Sequence, residues 1–150
     1  MKSENLSVFV EGIANFFKTV TQTPASVGTP FLIQDINEYL EDFTGVIGIT
    51  GNHKGSVFFS TTRRLAVHLL SDMGVMTTRD DKLMDLVGEV CNTVSGNARR
   101  EFGDQFMIST PVVIQGKSEN VKALDVVGIY VIPIVWRDLN ANLIINLDED

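Results

Sequence analysis

The stretch Thr44-Gly-Val-Ile-Gly-Ile-Thr50-Gly-Asn-His-Lys-Gly55-Ser-Val-Phe-Phe-Ser60 decides the fold. Two β-prone runs, Thr44 to Thr50 and Ser56 to Ser60, flank a connection in which Gly51, Asn52 and Gly55 can supply the positive φ angles of a tight turn. The reading is a β-hairpin. Directly after it, Ser60-Thr61-Thr62 offers an N-cap for a helix with Leu65, Ala66, Leu69, Leu70 and Met73 inward, and Gly74 is placed as its stop. His68 then falls on that helix's surface or boundary.

Working outward, Leu6, Phe9, Val10, Ile13, Phe16, Phe17 and Val20 recur at helical spacing, which predicts a first helix over Leu6 to Val20 that Pro24 brings to an end. A strand is expected around Val27 to Ile33, interrupted by Pro30, and Gln34 to Asp42 reads as loop or edge. A longer helix should start near Asp80, where Thr78-Arg79-Asp80-Asp81 resembles a capping box, and end at Gly103. Strand-like runs follow at Met107 to Gln115, Leu124 to Trp136 and Asn142 to Leu147, with a turn at Arg137-Asp138-Leu139-Asn140 and a flexible connection expected at Lys117 to Lys122. Pro133 within the second run suits an edge or a bulge. Helix, strands, helices, strands is an α+β order built on an antiparallel sheet, not a doubly wound one.

The chain has 150 residues, the size of one domain, and no repeat or linker divides it, so a single domain over residues 1–150 is expected. Its apolar fraction of 44% with 21% charged residues belongs to globular proteins. A net charge of -7 repels polyanions, which argues against nucleic acid or an anionic membrane as partner. Cys91 is the only cysteine, so no disulfide forms within the chain. The N-terminus has no signal-peptide pattern, and the run Val126 to Trp136 is too short to span a bilayer, so a cytoplasmic protein is expected.

The long helix carries the candidate site. Projected at about 100° per residue, Leu83, Leu86, Val87, Val90, Val94 and Ala98 gather on one side, while Asp85, Glu89, Asn92, Gly96, Arg99 and Gly103 fall opposite. Glu89 and Asn92 therefore reach outward together. An outward Asn, and Gly88 and Gly96 inside a helix at about 1 kcal/mol each relative to Ala, are poor choices for helix stability. Small residues beside a Glu/Asn pair would let a partner's backbone approach closely. With eight Glu and ten Asn in the chain, about half an E-x-x-N match arises by chance, so the spacing alone leaves a merely solvated face as the simpler reading.

The longer string Asp85-Leu-Val-Gly-Glu89-Val-Cys-Asn92-Thr-Val-Ser-Gly96-Asn-Ala resembles the D/S-x-x-x-E-x-x-N signature of the CheC, CheX and FliY phosphatases. The hairpin Val46 to Val57 and the order of elements across nearly the whole chain are similar to CheX. One departure concerns a proline that CheC-type signatures place further beyond the Asn: here 18 residues separate Asn92 from Pro111. On the first helix, Glu11 and Asn15 are one residue too far apart to form a second pair, which leaves one site.

The resemblance implies that the chain removes the aspartyl-phosphate of a CheY-like response regulator. The partner would supply the phosphoryl group, a Mg²⁺ and a lysine, and this chain would carry no cofactor of its own. Asn92 would orient the attacking water and Glu89 would pair with the partner's lysine, with Asp85, Gly96 and Arg99 in the contact surface. Arg99 and Arg100 could instead simply complement the helix dipole. The resemblance also implies a homodimer, for which the strand ending at Trp136 offers an edge. A non-catalytic adaptor that docks a receiver through the same face is the alternative. His53 and His68 lie without a ligand cluster around them, so no metal site of the chain's own is expected.

Overall fold

The computed structural model describes residues 3–116 and 128–148. Three helices, α1 (Ser3–Val20), α2 (Arg63–Asp72) and α3 (Asp80–Phe102), accompany eight strands: β1 (Ser26–Val27), β2 (Phe31–Ile33), β3 (Phe43–Gly51), β4 (Gly55–Thr61), β5 (Phe106–Ile108), β6 (Val112–Gln115), β7 (Ile129–Trp136) and β8 (Leu139–Leu147). All pairings are antiparallel, in the order β1-β7-β8-β4-β3-β5, with β2 also beside β7 and β6 also beside β3. The α+β class expected from the hairpin is the fold observed.

Alternation along the strands divides the sheet into two faces. Phe43, Ile47, Ile49, Val57, Phe59, Ile132, Ile134, Trp136, Leu143 and Ile145 meet the helices in the main core, together with Phe9, Ile13 and Phe17 of α1. On the other face a smaller cluster of Phe58, Val131 and Ile144 is covered by Ile36 and Leu40. That cover explains the stretch Gln34 to Asp42: it holds a 3-10 turn, Ile36–Tyr39, capped by the Asp35 carboxylate accepting from the Asn37 N–H. The turn is too short for periodicity to reveal.

Several boundaries differ from the sequence reading for local reasons. α1 ends at Val20 as expected, with the Thr21 hydroxyl donating to the Phe17 carbonyl of its last turn, but it starts earlier, at Ser3. The run Met107 to Gln115 is two strands, split at Ser109-Thr110-Pro111, where the Ser109 N–H donates to the Gly48 carbonyl and its hydroxyl accepts from the Gly48 N–H. The capping box at α3 does not form: Arg79 occupies the N-cap without a side-chain bond, and the Thr77 hydroxyl accepts from the Arg79 N–H instead. Arg137 and Asp138, both at positive φ, make the two-residue turn between β7 and β8.

β7 is not a free edge for a second copy, since β1 and β2 already pair along its outer side. Pro133 is accommodated there. Its carbonyl accepts from Gly28 on the side facing β1 and β2, so its missing N–H points to that same side and takes nothing from the β8 ladder. The expected connection Lys117 to Lys122 and the first residues of the run from Leu124 lie outside the described residues. No helix among the described residues is long and apolar enough to cross a membrane.

Candidate functional site at the exposed face of the long helix

α3 lies across β3, β4, β5 and β6. Its close seat on β3 depends on Gly45, where a Cβ would stand 3.1 Å from the Val87 carbonyl oxygen and 3.2 Å from the Cys91 Cβ. Leu83, Leu86, Val87, Val90, Cys91, Val94 and Ala98 are all buried. Burial beneath this face pushes the Cys91 thiol up to about 12. The N-terminal end of α3 is tied down by Asp80, whose carboxylate accepts from the Arg63 guanidinium and from the Gln115 side chain at 2.8 Å. Those two hydrogen bonds, Arg63's first, hold the Asp80 carboxyl below its ordinary value.

With the inner face anchored, Asp85, Glu89, Asn92 and Arg99 are exposed and Gly96 is half-buried. Glu89 and Asn92 stand one turn apart, about 4.5 Å along the axis. Both border a cleft of about 370 Å³ between α3 and the start of β6, together with Met84, Asp85 and Gly88 from the helix and Pro111 and Val113 from the strand side. The Thr93 hydroxyl lies 3.5 Å from a Glu89 carboxylate oxygen. Neither Asp85 nor Glu89 has a basic partner among the described residues. Asn92 is exposed beside them. The face can therefore offer two uncompensated carboxylates and one neutral donor-acceptor to an incoming molecule.

Gly96 and Arg99 are on the same side but lie further toward the helix C-terminus and do not line the cleft. A Cβ at Gly96 would meet nothing within 4 Å, so that position is open to a partner. Gly88 is different and does not admit a partner's backbone. It is buried, and its Cβ would stand 3.3 Å from Val113 Cγ2 and 3.8 Å from Pro111, so it serves the packing of β6 on α3.

Pro111 and Val113 are not reachable by projecting one helix, because they come from β6 and the residue before it, remote in sequence. The available signal was Pro111 itself, which marks an edge or a break in a strand-like run. Elsewhere, Glu11 and Asn15 are exposed on α1, away from this cleft. His53 packs its ring against Phe102 and Phe106, with centroids 5.7 and 5.6 Å away. A larger hollow of about 640 Å³ lies at the opposite margin of the sheet, among Leu32, Asp35, Tyr39 and Tyr130. Its Asp35 carboxylate is engaged in capping, and none of the α3 residues reaches it. No cluster of three potential metal ligands occurs among the described residues.

An antiparallel sheet with its helices on one face, and a central helix turning a Glu/Asn pair to solvent, define a protein of the CheC/CheX class. The family model described as chemotaxis phosphatase CheX matches residues 43–135, which span the hairpin, α2, α3 and most of β7, and the chain belongs to the CheX family. A CheC-like superfamily protein from Shewanella sp. PV-4 superposes with a TM-score of 0.88 at 26% identity, covering 99% of this chain and 100% of the other. The chemotaxis protein CheX from Vibrio vulnificus gives 0.84 at 27% identity, covering 97% and 100%. The fold is also that of CheX in a CheX-CheY-BeF3-Mg complex from Borrelia burgdorferi, at a TM-score of 0.80 and 16% identity over 99% and 100% of the chains. No curated protein sequence matches significantly.

Proposed function

We propose that this chain hydrolyses the aspartyl-phosphate of a CheY-like response regulator in chemotaxis or a related two-component pathway. The observation that carries the reading is the cleft in which Glu89 and Asn92 stand exposed, side by side and without a basic partner, on a helix whose other face is fully committed to the core. Membership of the CheX family and the complex of the Borrelia CheX with CheY support it.

In this reading the receiver carries the phosphoryl group and its Mg²⁺, and its lysine meets Glu89. Asn92 enters beside the phosphorus and holds a water in line with the bond to the aspartate oxygen. An amide suits that task because it donates to and accepts from water without being protonated itself. Attack forms a phosphorus–oxygen bond to water and breaks the one to the carboxylate, which leaves inorganic phosphate and free aspartate. Phosphoryl transfer needs little covalent help, so fixing the water is the catalytic contribution, as glutamine does in GTPases.

The test is the decay of several phosphorylated receivers in Mg²⁺ with no addition, with the native chain, and with Asn92→Ala or Glu89→Ala. Acceleration by the native chain that Asn92→Ala abolishes supports water positioning. If the native chain binds a receiver and leaves its decay unchanged, the adaptor reading replaces this one.

A further inference from the structure

We propose that the cleft beside Glu89 selects its receiver through a second basic side chain, whose aliphatic stem lies in the cleft between Met84 and Pro111 and whose cation meets Asp85. The proposal rests on the phosphatase reading above and adds to it which receivers are accepted. It starts from an imbalance of charge. Glu89 is assigned to the receiver's active-site lysine, yet Asp85 borders the same cleft one turn away, about 6 Å along the axis, and makes no ion pair among the described residues, not even with Lys82 three residues before it. One lysine does not satisfy two carboxylates at that separation.

The walls say what kind of cation fits. Met84 stands on the helix side of the cleft, and Pro111 and Val113, which already cover Gly88, form its strand side. A groove with apolar sides and carboxylates at its lip matches a long side chain that buries its methylenes and keeps its charge at the rim, which describes lysine or arginine and neither a metal ion nor an acidic segment. The receiver must therefore present a basic residue about 6 Å from its active-site lysine, on the side that faces the α3 N-terminus.

The experiment compares native chain, Asp85→Asn and Met84→Ala on a phosphorylated receiver, with kcat and KM measured at low and high salt. The affinity of each for the same receiver loaded with BeF3⁻ and Mg²⁺ is measured in parallel. Asp85→Asn should raise KM about three- to tenfold, change kcat less than about twofold and flatten the salt dependence. Met84→Ala should raise KM with the salt dependence intact, because it removes only stem contact. Replacing the receiver's basic residue by Ala should erase the difference between native and Asp85→Asn, as a double-mutant cycle requires. Unchanged KM and salt dependence in Asp85→Asn, on a receiver that the native chain dephosphorylates, overturns the proposal. If the native chain binds the loaded receiver without hydrolysing the phosphorylated one, the phosphatase reading falls while the affinities still decide on the slot. If it does neither with any receiver, both fall.

Discussion

The two faces of α3 obey different rules although they alternate within the same 23 residues. Inward, most positions are ones that core packing would choose: Leu83, Leu86, Val87, Val90, Cys91, Val94 and Ala98 are buried against the sheet and the other helices, with Gly88 and Ser95 as the small exceptions. Outward, Asp85, Glu89, Asn92 and Gly96 give the helix little. An exposed Asn and an unsupported Gly cost it propensity, and the two carboxylates stand without counter-charges. The contrast teaches that residue choice on the inner face is explained by stability, and on the outer face by something that arrives from outside.

That contrast can be broken by measurement. The largest effect should be on Cys91. A thiol raised from 9.0 to about 12 is about a thousandfold poorer in thiolate than an ordinary one, so labelling of the native protein by a thiol reagent should be slow at mild pH and should speed up on unfolding. Rapid labelling of the folded chain would mean that the inner face opens. Next, Leu83→Ala should lower the unfolding free energy in urea by about 2–5 kcal/mol, the range for a fully buried leucine.

The two helix glycines sharpen the comparison. Gly96→Ala, with open space around it, should gain roughly 0.5–1 kcal/mol of stability. Gly88→Ala should gain less or lose, because Val113 must yield by a few tenths of an ångström. Equal gains at the two sites would contradict the packing described for β6. The smallest effect is expected for Asn92→Ala, whose thermal unfolding should stay within about 0.5 kcal/mol of the native chain.

Much of this was legible in the sequence, for identifiable reasons. The hairpin at Thr44 to Ser60, the Thr62 cap and the Gly103 stop are local features, and local chemistry fixes them. The outward set Asp85, Glu89, Asn92 follows from helical period alone. What stayed hidden depends on contacts between distant segments. The capping box expected at Thr78 gives way because Asp81, the residue that would reach back, accepts from the Arg79 guanidinium instead, while Asp80 is held by Arg63 and Gln115, neither of which periodicity could bring to it. The strand wall of the cleft is hidden for the same reason: Pro111 reaches Gly88 only through the pairing of β6 with β3. Gly88 is a case of the same kind, since a helix projection cannot distinguish a glycine open to a partner from one already covered by the chain itself.

The most direct measurement is the single-turnover decay of a phosphorylated receiver held in saturating excess of Asn92→Ala, beside the same experiment with the native chain. If the outer face acts by placing a water, the variant should bind and melt like the native chain while the decay within its complex falls at least about a hundredfold, toward that of the receiver alone. Decay as fast in the Asn92→Ala complex as in the native one would contradict the role given to this helix.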